Sequence, residues 1–374
     1  MDRHFKALSL FSGGGGMDIG VKQAGFQILA SIEKDTHCCA TLRAAVERED
    51  SDTQVIESDI RDIDPNDLMH DLDLIPGELD LLFGGPPCQP FSQIGKQKGL
   101  EDERGLLLFQ ISRFASVLKP KAILIEQVKG LLSAKDTEGN KGGVFELLLS
   151  DLEKLDYVPK WKIINSADYG VAQLRKRVFI VATKKPNGYR FPEPTHSPEG
   201  ERNLLFTLKP YISAGDVIAD LDAPSPKGTD REDSHVDVTP DGDRFRINGV
   251  PAGAYLAGQT HLPKEQIKGL TKKDTTKFLR VSHIDPSKTL RCGEVFFHPT
   301  ENRYLTPREY MRIHGYPDDY ILKGPIRGRS GRVRNLDQYR QIANSVPPPI
   351  AKLLAEQIVK VLTCQKSSSY LDTQ

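Results

Sequence analysis

The sequence predicts a doubly wound α/β fold, a mostly parallel sheet flanked by helices, with a second, smaller, loop-rich domain. Three observations carry this. Short apolar, β-branched runs alternate with helical stretches from residue 5 to about 183. A glycine cluster, Gly13-Gly14-Gly15-Gly16, follows the first of those runs. Near Lys184 the periodic text gives way to mixtures of Pro, Gly, Asp and Lys. Alternation of this kind reads as βαβ units around a parallel sheet.

Taken in order, the strand candidates are FKALSLF, FQILASIE, the short QVI, LDLLFGG, KAILIEQV and RVFIVAT. Between them, Thr36 to Glu49, Leu106 to Leu118 and Val144 to Leu155 carry apolar residues at helical spacing. From Lys184 to roughly Asp285 periodic segments are few. The apolar pieces AGDVIADL and AGAYLAG favour a folded domain there over a disordered insertion. The chain then turns through three prolines into an amphipathic helix with Ile350, Leu353, Leu354, Ile358 and Leu362 on one side, and the tail KSSSYLDTQ is expected to fray. The division expected is 1–183 plus 338–374 for one domain, the last helix packing back on it, and 184–337 for the other, with a variable core at about 186–280.

Of the 374 residues 38% are hydrophobic and 27% charged, a composition that suits one large domain plus a smaller one. No run approaches the ~18 consecutive apolar residues of a membrane span, and the start MDRHFKALSLF leads into a strand pattern; a cytoplasmic chain is expected. The five cysteines include the adjacent Cys38 and Cys39 and form no C-x-x-C pair, which argues against a disulfide framework and against a metal site. A cysteine that matters here acts as a thiolate. Net charge is zero, so contact with nucleic acid has to come from local charge.

The first strand runs into Phe11-Ser12-Gly13-Gly14-Gly15-Gly16-Met17, after which Asp18 to Ala24 begins a helix. Glycines let the backbone turn sharply and approach a ligand at the positive end of that helix, although tight strand-to-helix turns also use glycine for purely structural reasons. Glu33 ends the second strand at the position where a nucleotide-binding unit accepts hydrogen bonds from ribose hydroxyls. Asp59 follows QVI at the same edge, suited to an adenine amino group. Together they predict an adenosine-type cofactor; spacing does not separate NAD from S-adenosylmethionine.

The strand LDLLFGG stops at Pro86-Pro87-Cys88-Gln89-Pro90-Phe91-Ser92, mounting a thiol on a stiff turn at the carboxyl end of a parallel strand, where open α/β sheets bind ligands. Here the sequence resembles the cytosine-5 DNA methyltransferase family. The cofactor motif is matched by FSGGGGMDIG and the catalytic motif by GGPPCQPFS. Further matches run from Asp102 to Leu107 and, as Gln-x-Arg-x-Arg, from Gln173 to Arg177. Later come Arg303 to Glu309 with Gly315-Tyr316-Pro317, and Ala343 to Pro348. The matches cover residues 1–183 and about 280–363.

The resemblance implies a Rossmann-like fold that uses S-adenosylmethionine and leaves S-adenosylhomocysteine. It assigns Cys88 the attack on carbon 6 of cytosine and Glu126 the proton at N3, a role that needs a raised pKa of the kind burial gives. Arg175 and Arg177 fall near the pyrimidine O2 and its phosphate. The cofactor falls to Phe11, Ser12, Gly13, Gly14, Gly15, Gly16, Met17, Glu33, Lys34, Asp59, Ile60, Pro86, Leu107, Asn344, Ser345 and Val346. Two departures stand out. Gln127 occupies the place of the usual asparagine, which predicts altered geometry of the catalytic loop, and Ala343 stands where glycine is common.

A cytosine inside a duplex has to be rotated out of the stack, and SQIGKQKGLEDERG reads as a lid, or equally as a structureless surface loop. Local positive charge gathers at Lys323, Arg327, Arg329, Arg332, Arg334 and Arg340, opposed only by Asp337. Phosphate contact and a solvated linker are the two readings of it. Arg244, Arg246, Lys272 and Lys273 are candidate DNA contacts. Double-stranded DNA is the expected partner, bound by a monomer, with a cognate restriction endonuclease acting separately. The rivals are a transfer-RNA cytosine methyltransferase, whose Cys-Phe-Thr element is absent, a catalytically silent DNA-binding paralogue, which loses the Cys or Glu, and an NAD-dependent dehydrogenase, which leaves the Pro-Pro-Cys-Gln turn unexplained.

Overall fold

The computed structural model describes residues 5–87, 106–184, 188–200, 207–258, 278–292, 294–328 and 335–371. The chain divides into two compact units: Met1–Ile164, Lys176–Glu193 and Pro348–Gln374 form one, Asn165–Arg175 and Pro194–Pro347 the other. These limits differ from the sequence-drawn division at 184–193, which falls to the first unit, and at 165–175 and 338–347, which fall to the second. The second unit holds both segments by hydrogen bonds, Gln173 to His314 at 2.9 Å and Arg175 to the Ser345 carbonyl at 2.9 Å.

In the first unit the described residues form a seven-stranded sheet from β1 (Phe5–Leu10), β2 (Phe26–Glu33), β3 (Gln54–Glu57), β4 (Leu81–Gly84), β5 (Ala122–Val128), β6 (Tyr157–Asn165) and β8 (Lys176–Lys184), in the order β3-β2-β1-β4-β5-β8-β6. Strands β1 to β5 pair in parallel, and β8 runs antiparallel to β5. The order reverses between β1 and β4, so the carboxyl ends of those two strands flank the switch point where such sheets hold ligands. Leu8, Leu10, Ile32, Leu82, Ile123, Ile125, Val178 and Ile180 are buried, which is why these strands read as continuous apolar runs.

The covering helices are α1 (Gly16–Gln23), α2 (Thr36–Arg48), α3 (Pro65–Asp71), α4 (Leu106–Leu118), α5 (Gly143–Lys154) and, from the chain's end, α9 (Pro348–Leu371). The last runs into the tail expected to fray. It lies so close to α1 that a Cβ on Gly20 would stand 2.3 Å from the Pro348 carbonyl oxygen. Two elements are absent from the sequence reading. Helix α3 is short, capped by Asp64 with Pro65 in its first turn, and β6 carries Pro159 beside the exposed Lys160 and Trp161, a pattern that suits a strand at the edge of a sheet.

The second unit is loop-rich, as expected. Its described elements are short: β7 (Gln173–Leu174), β9 (His196–Ser197), β10 (Lys209–Pro210), β11 (Ser287–Lys288), α6 (Asp241–Ile247), α7 (Pro307–His314) and α8 (Gln338–Asn344). Ala214, Ile218 and Leu256 of the two apolar pieces are buried. Much of the rest of its interior is polar and paired. Arg303 forks onto Glu309 at 2.7 and 2.8 Å, Glu309 completes a capping box with Thr306 at the start of α7, and buried His235 meets Thr306 at 2.8 Å. Such pairs fix one arrangement of loops because breaking any one strands a buried charge or donor. No helix among the described residues is long and apolar enough to cross a membrane.

Candidate active site

The loop from β1 to α1 is held in a strained shape. Phe11, Gly13 and Gly15 have φ of 57°, 53° and 78°, in the left-handed region that Phe11 adopts at a cost. Several bonds hold it there. Ser12 N–H donates to the Ile32 carbonyl at 3.1 Å, and Gly15 N–H to that of Ser12 at 3.0 Å. Glu33, at the end of β2, accepts from Gly13 N–H at 2.8 Å on one carboxylate oxygen and from Lys34 and Asp35 N–H at 2.8 and 2.9 Å on the other. Burial pushes the Glu33 carboxyl above its ordinary value, and these three donors pull it back down only in part.

Beneath the loop lies a carboxylate that sequence reading passed over. Asp18, in the first turn of α1, is buried and accepts from Ser31 Oγ at 2.6 Å and from Ser9 Oγ at 3.0 Å. Ser9, having given its one proton to Asp18, accepts from Ser12 at 2.8 Å. The chain Ser12–Ser9–Asp18–Ser31 thus ties the glycine loop to β1, β2 and α1. Burial raises the Asp18 carboxyl pKa. The sequence signal was an acidic residue among apolar neighbours within the first turn of a helix, readable as an ordinary favourable charge there.

Asp59 is engaged. Both its oxygens accept from Arg61, Nε and Nη2 each at 2.9 Å, and its Oδ1 caps the short helical turn that follows. Arg61 holds the Asp59 carboxyl well below the usual range. Exposed Lys34 approaches it at 3.5 Å, while Ile60, Leu107 and Pro86 are buried. The loop fits an adenosine-type ligand by one direct test. Among the described residues, a Cβ on Gly13 would meet nothing nearer than the Phe11 carbonyl oxygen at 4.0 Å, so none of them fills the space over it.

At the end of β4, Gly84 lies so close to β1 that a Cβ there would stand 2.3 Å from the Leu10 carbonyl oxygen. Cys88 and the lid segment lie outside the described residues. The turn that leads to Cys88 is described as far as Pro87, and Gln127 on β5 donates its amide to the Pro86 carbonyl at 2.6 Å. Next to it Glu126 is buried, its Oε1 2.9 Å from Arg177 Nε on β8. Its Oε2 faces Gly85, where a Cβ would approach to 3.2 Å. The structure therefore brings together Glu126, Arg177 and the strand exit that carries Cys88.

Arg175 is placed differently. It is 1% exposed, in the second unit, with Nη2 on the Ser345 carbonyl. Of the other residues assigned there, Asn344 is exposed and accepts from Cys292 at 2.5 Å, and Ser345 and Val346 are buried. Among the basic candidates, Arg244 pairs with Asp237 at 2.6 Å and Arg246 with Asp243 at 3.4 Å. Arg340 pairs with Asp337 at 3.1 Å, and Arg327 lies over the Tyr304 ring at 4.7 Å. Arg329, Arg332, Arg334, Lys272 and Lys273 lie outside the described residues. No cluster of potential metal ligands occurs among the described residues.

A glycine loop and two acidic residues at the carboxyl ends of a doubly wound sheet, with a buried Glu–Arg pair beside them, make a Rossmann-like α/β site of the kind that suits a nucleotide-type cofactor. The chain belongs to the C-5 cytosine-specific DNA methylase family, whose sequence profile matches residues 5–360. It is 34% identical to the Type II methyltransferase M.NgoFVII of Neisseria gonorrhoeae, across 96% of this chain and 87% of that one. To the Type II methyltransferase M.PspPI of Psychrobacter sp. (strain TA137) it is 32% identical, across 96% and 80%. The fold is shared with the Entamoeba histolytica methyltransferase EhMeth, at a TM-score of 0.57 and 18% identity, across 96% and 99% of the two chains.

Proposed function

We propose that this enzyme transfers a methyl group from S-adenosylmethionine to carbon 5 of a cytosine rotated out of duplex DNA, with Cys88 as nucleophile. One observation carries the reading: a buried carboxylate, Glu126, oriented by Arg177 at 2.9 Å, sits on the strand beside the one that leads into Pro86-Pro87-Cys88. The cofactor, when bound, supplies an electrophilic methyl group.

Carbon 5 of cytosine attacks such a group only after electron density has been loaded into the ring. The Cys88 thiolate does this by bonding to carbon 6, and the displaced electron pair moves toward N3. Glu126 holds a proton at N3. Arg177 fixes Oε1 of that carboxyl and so directs Oε2, while its charge stabilises the density that develops on the pyrimidine. Once carbon 5 carries the methyl, its proton leaves to a base, the carbon 6–sulfur bond breaks and the thiolate returns. Arg175, buried against Ser345, serves by position.

The Phe11–Met17 loop, Glu33, Lys34, Asp59, Ile60, Pro86 and Leu107 hold the cofactor in this reading. The parts of Asn344, Ser345 and Val346 rest on the family resemblance. The 184–337 segment reads the target sequence. The enzyme works as a monomer on DNA in the cytoplasm and guards that DNA against a separate restriction endonuclease, the setting that the names of its Type II relatives support. Bisulfite sequencing of a plasmid carried by cells that express the chain tests this. The expected result is 5-methylcytosine at one position of one recurring short sequence; unmodified or randomly modified plasmid contradicts it.

A further inference from the structure

Three side chains of the second unit converge on the carbonyl oxygen of Ser345, two directly and one through its neighbour. Arg175 Nη2 donates to it at 2.9 Å and His314 Nε2 at 3.1 Å, so both lone pairs of that oxygen are taken. His314, the last residue of α7, is 0% exposed, and Gln173 Nε2 meets its Nδ1 at 2.9 Å. On its other side the Gln173 amide oxygen accepts from the backbone N–H of Leu290 at 3.3 Å.

These bonds leave little choice of hydrogen positions. A backbone N–H only donates, so the Gln173 oxygen faces Leu290 and its NH2 faces His314. Nδ1 of His314 is then an acceptor, and the proton of the neutral ring sits on Nε2, where a carbonyl oxygen needs it. The Leu290 N–H thus sets the Gln173 amide, which sets the His314 tautomer, which sets the Ser345 carbonyl. Each member is buried, so the chain has no water to substitute for a lost partner.

Ser345 stands between α8 and the prolines that open α9, and it has neither helix's hydrogen bonds to orient its carbonyl. We propose that His314 is a positioning residue for the cofactor: by fixing the Ser345 carbonyl it sets the backbone of Asn344–Val346. The same carbonyl is the one Arg175 grips, so the segment assigned to the cofactor and the start of the Gln173–Arg177 motif assigned to the base share one anchor. This rests on the reading of Asn344–Val346 as a cofactor-holding segment.

The test is calorimetric titration of the full-length protein with S-adenosylhomocysteine, comparing wild type with His314→Leu, His314→Gln and Asn344→Ala. Loss of a buried donor on this order costs about tenfold in affinity. His314→Leu is expected to bind about tenfold more weakly, while His314→Gln, which keeps a donor near Nε2, stays within about threefold of wild type. Wild-type affinity in His314→Leu together with weakened binding in Asn344→Ala overturns the proposal and leaves the reading of the segment intact. Wild-type affinity in both overturns the reading as well. Equal weakening in the Leu and Gln variants overturns it too, because bulk rather than the donor is then what counts. Should His314→Leu not fold, Gln173→Leu takes its place with histidine-selective 15N spectra. The expected signature is a wild-type ring protonated at Nε2 that loses this preference in the variant, with cofactor binding weakened; an unchanged ring and affinity overturn the proposal.

Discussion

Gln127 donates its side-chain amide to the carbonyl oxygen of Pro86 at 2.6 Å, so the residue that departs from the family's usual asparagine is the one that braces the turn leading to Cys88. The side chain is 2% exposed, and its own oxygen has no hydrogen-bond partner among the described residues. An asparagine, one methylene shorter, falls short of Pro86 from this backbone. Gln127→Asn is expected to lower turnover about tenfold, and Gln127→Leu further, because small displacements of a reacting group cost rate steeply. Steady-state kcat and KM for S-adenosylmethionine decide it. Unchanged values in Gln127→Asn mean that the turn holds its shape without the brace.

Adjacent glycines at the end of β4 are expected to fail in different ways. A methyl on Gly84 collides with the Leu10 backbone carbonyl at 2.3 Å, so Gly84→Ala destabilises the protein by about 2 kcal/mol. Among the described residues, a methyl on Gly85 comes nearest the Glu126 carboxyl, at 3.2 Å, which is expected to shift to make room. Gly85→Ala should therefore keep wild-type stability and lose about tenfold in kcat. Urea unfolding and kinetics on both variants separate the two effects; a stable Gly84→Ala or a fully active Gly85→Ala refutes the corresponding half.

Asp18 should leave a mark on the pH dependence of stability. Its folded-state pKa is raised above the ordinary 3.8 by burial, so the folded protein binds this proton more tightly than the unfolded chain. Stability from this group is therefore full below 3.8 and declines as pH rises through the folded-state value. Asp18→Asn removes the titration. Urea midpoints of variant and wild type should move in the variant's favour between pH 4 and pH 7. A difference that is constant, or that moves the other way, rules the account out.

These cases show what the amino-acid text reveals. The strands FQILASIE and KAILIEQV were legible because burial on both faces makes a continuous apolar run, and Glu33 because it ends one of them. Asp18, Gln127 and His314 were harder to read as supports. Their roles depend on partners up to 141 positions away, as for His314 and Gln173, which no local pattern encodes. Arg175 and Arg177 look equivalent in the text, yet one points into the second unit's interior and the other to Glu126. In the basic stretch Lys323–Arg340 the one opposing charge, Asp337, was legible, but that it pairs with Arg340 at 3.1 Å is a matter of helix geometry.

Asp59 is predicted to bind cofactor as a permanent carboxylate. Arg61 holds it well below the usual range, so it stays ionised throughout the pH range of an assay. Asp59→Asn should weaken S-adenosylhomocysteine binding about tenfold, the loss of one charge-assisted hydrogen bond. Wild-type affinity should be flat from pH 5 to pH 8 as far as this residue is concerned. Equal affinities in variant and wild type would remove Asp59 from the site.

The central claim is that Cys88 carries methyl transfer to carbon 5 of cytosine in duplex DNA. Its most direct test is transfer of tritiated methyl from S-adenosylmethionine to duplex DNA and to transfer RNA, with wild type and Cys88→Ser, followed by base analysis. The account predicts label in 5-methylcytosine of the duplex for wild type and none for the variant. Label confined to RNA, or label in DNA that survives the loss of the thiol, contradicts it.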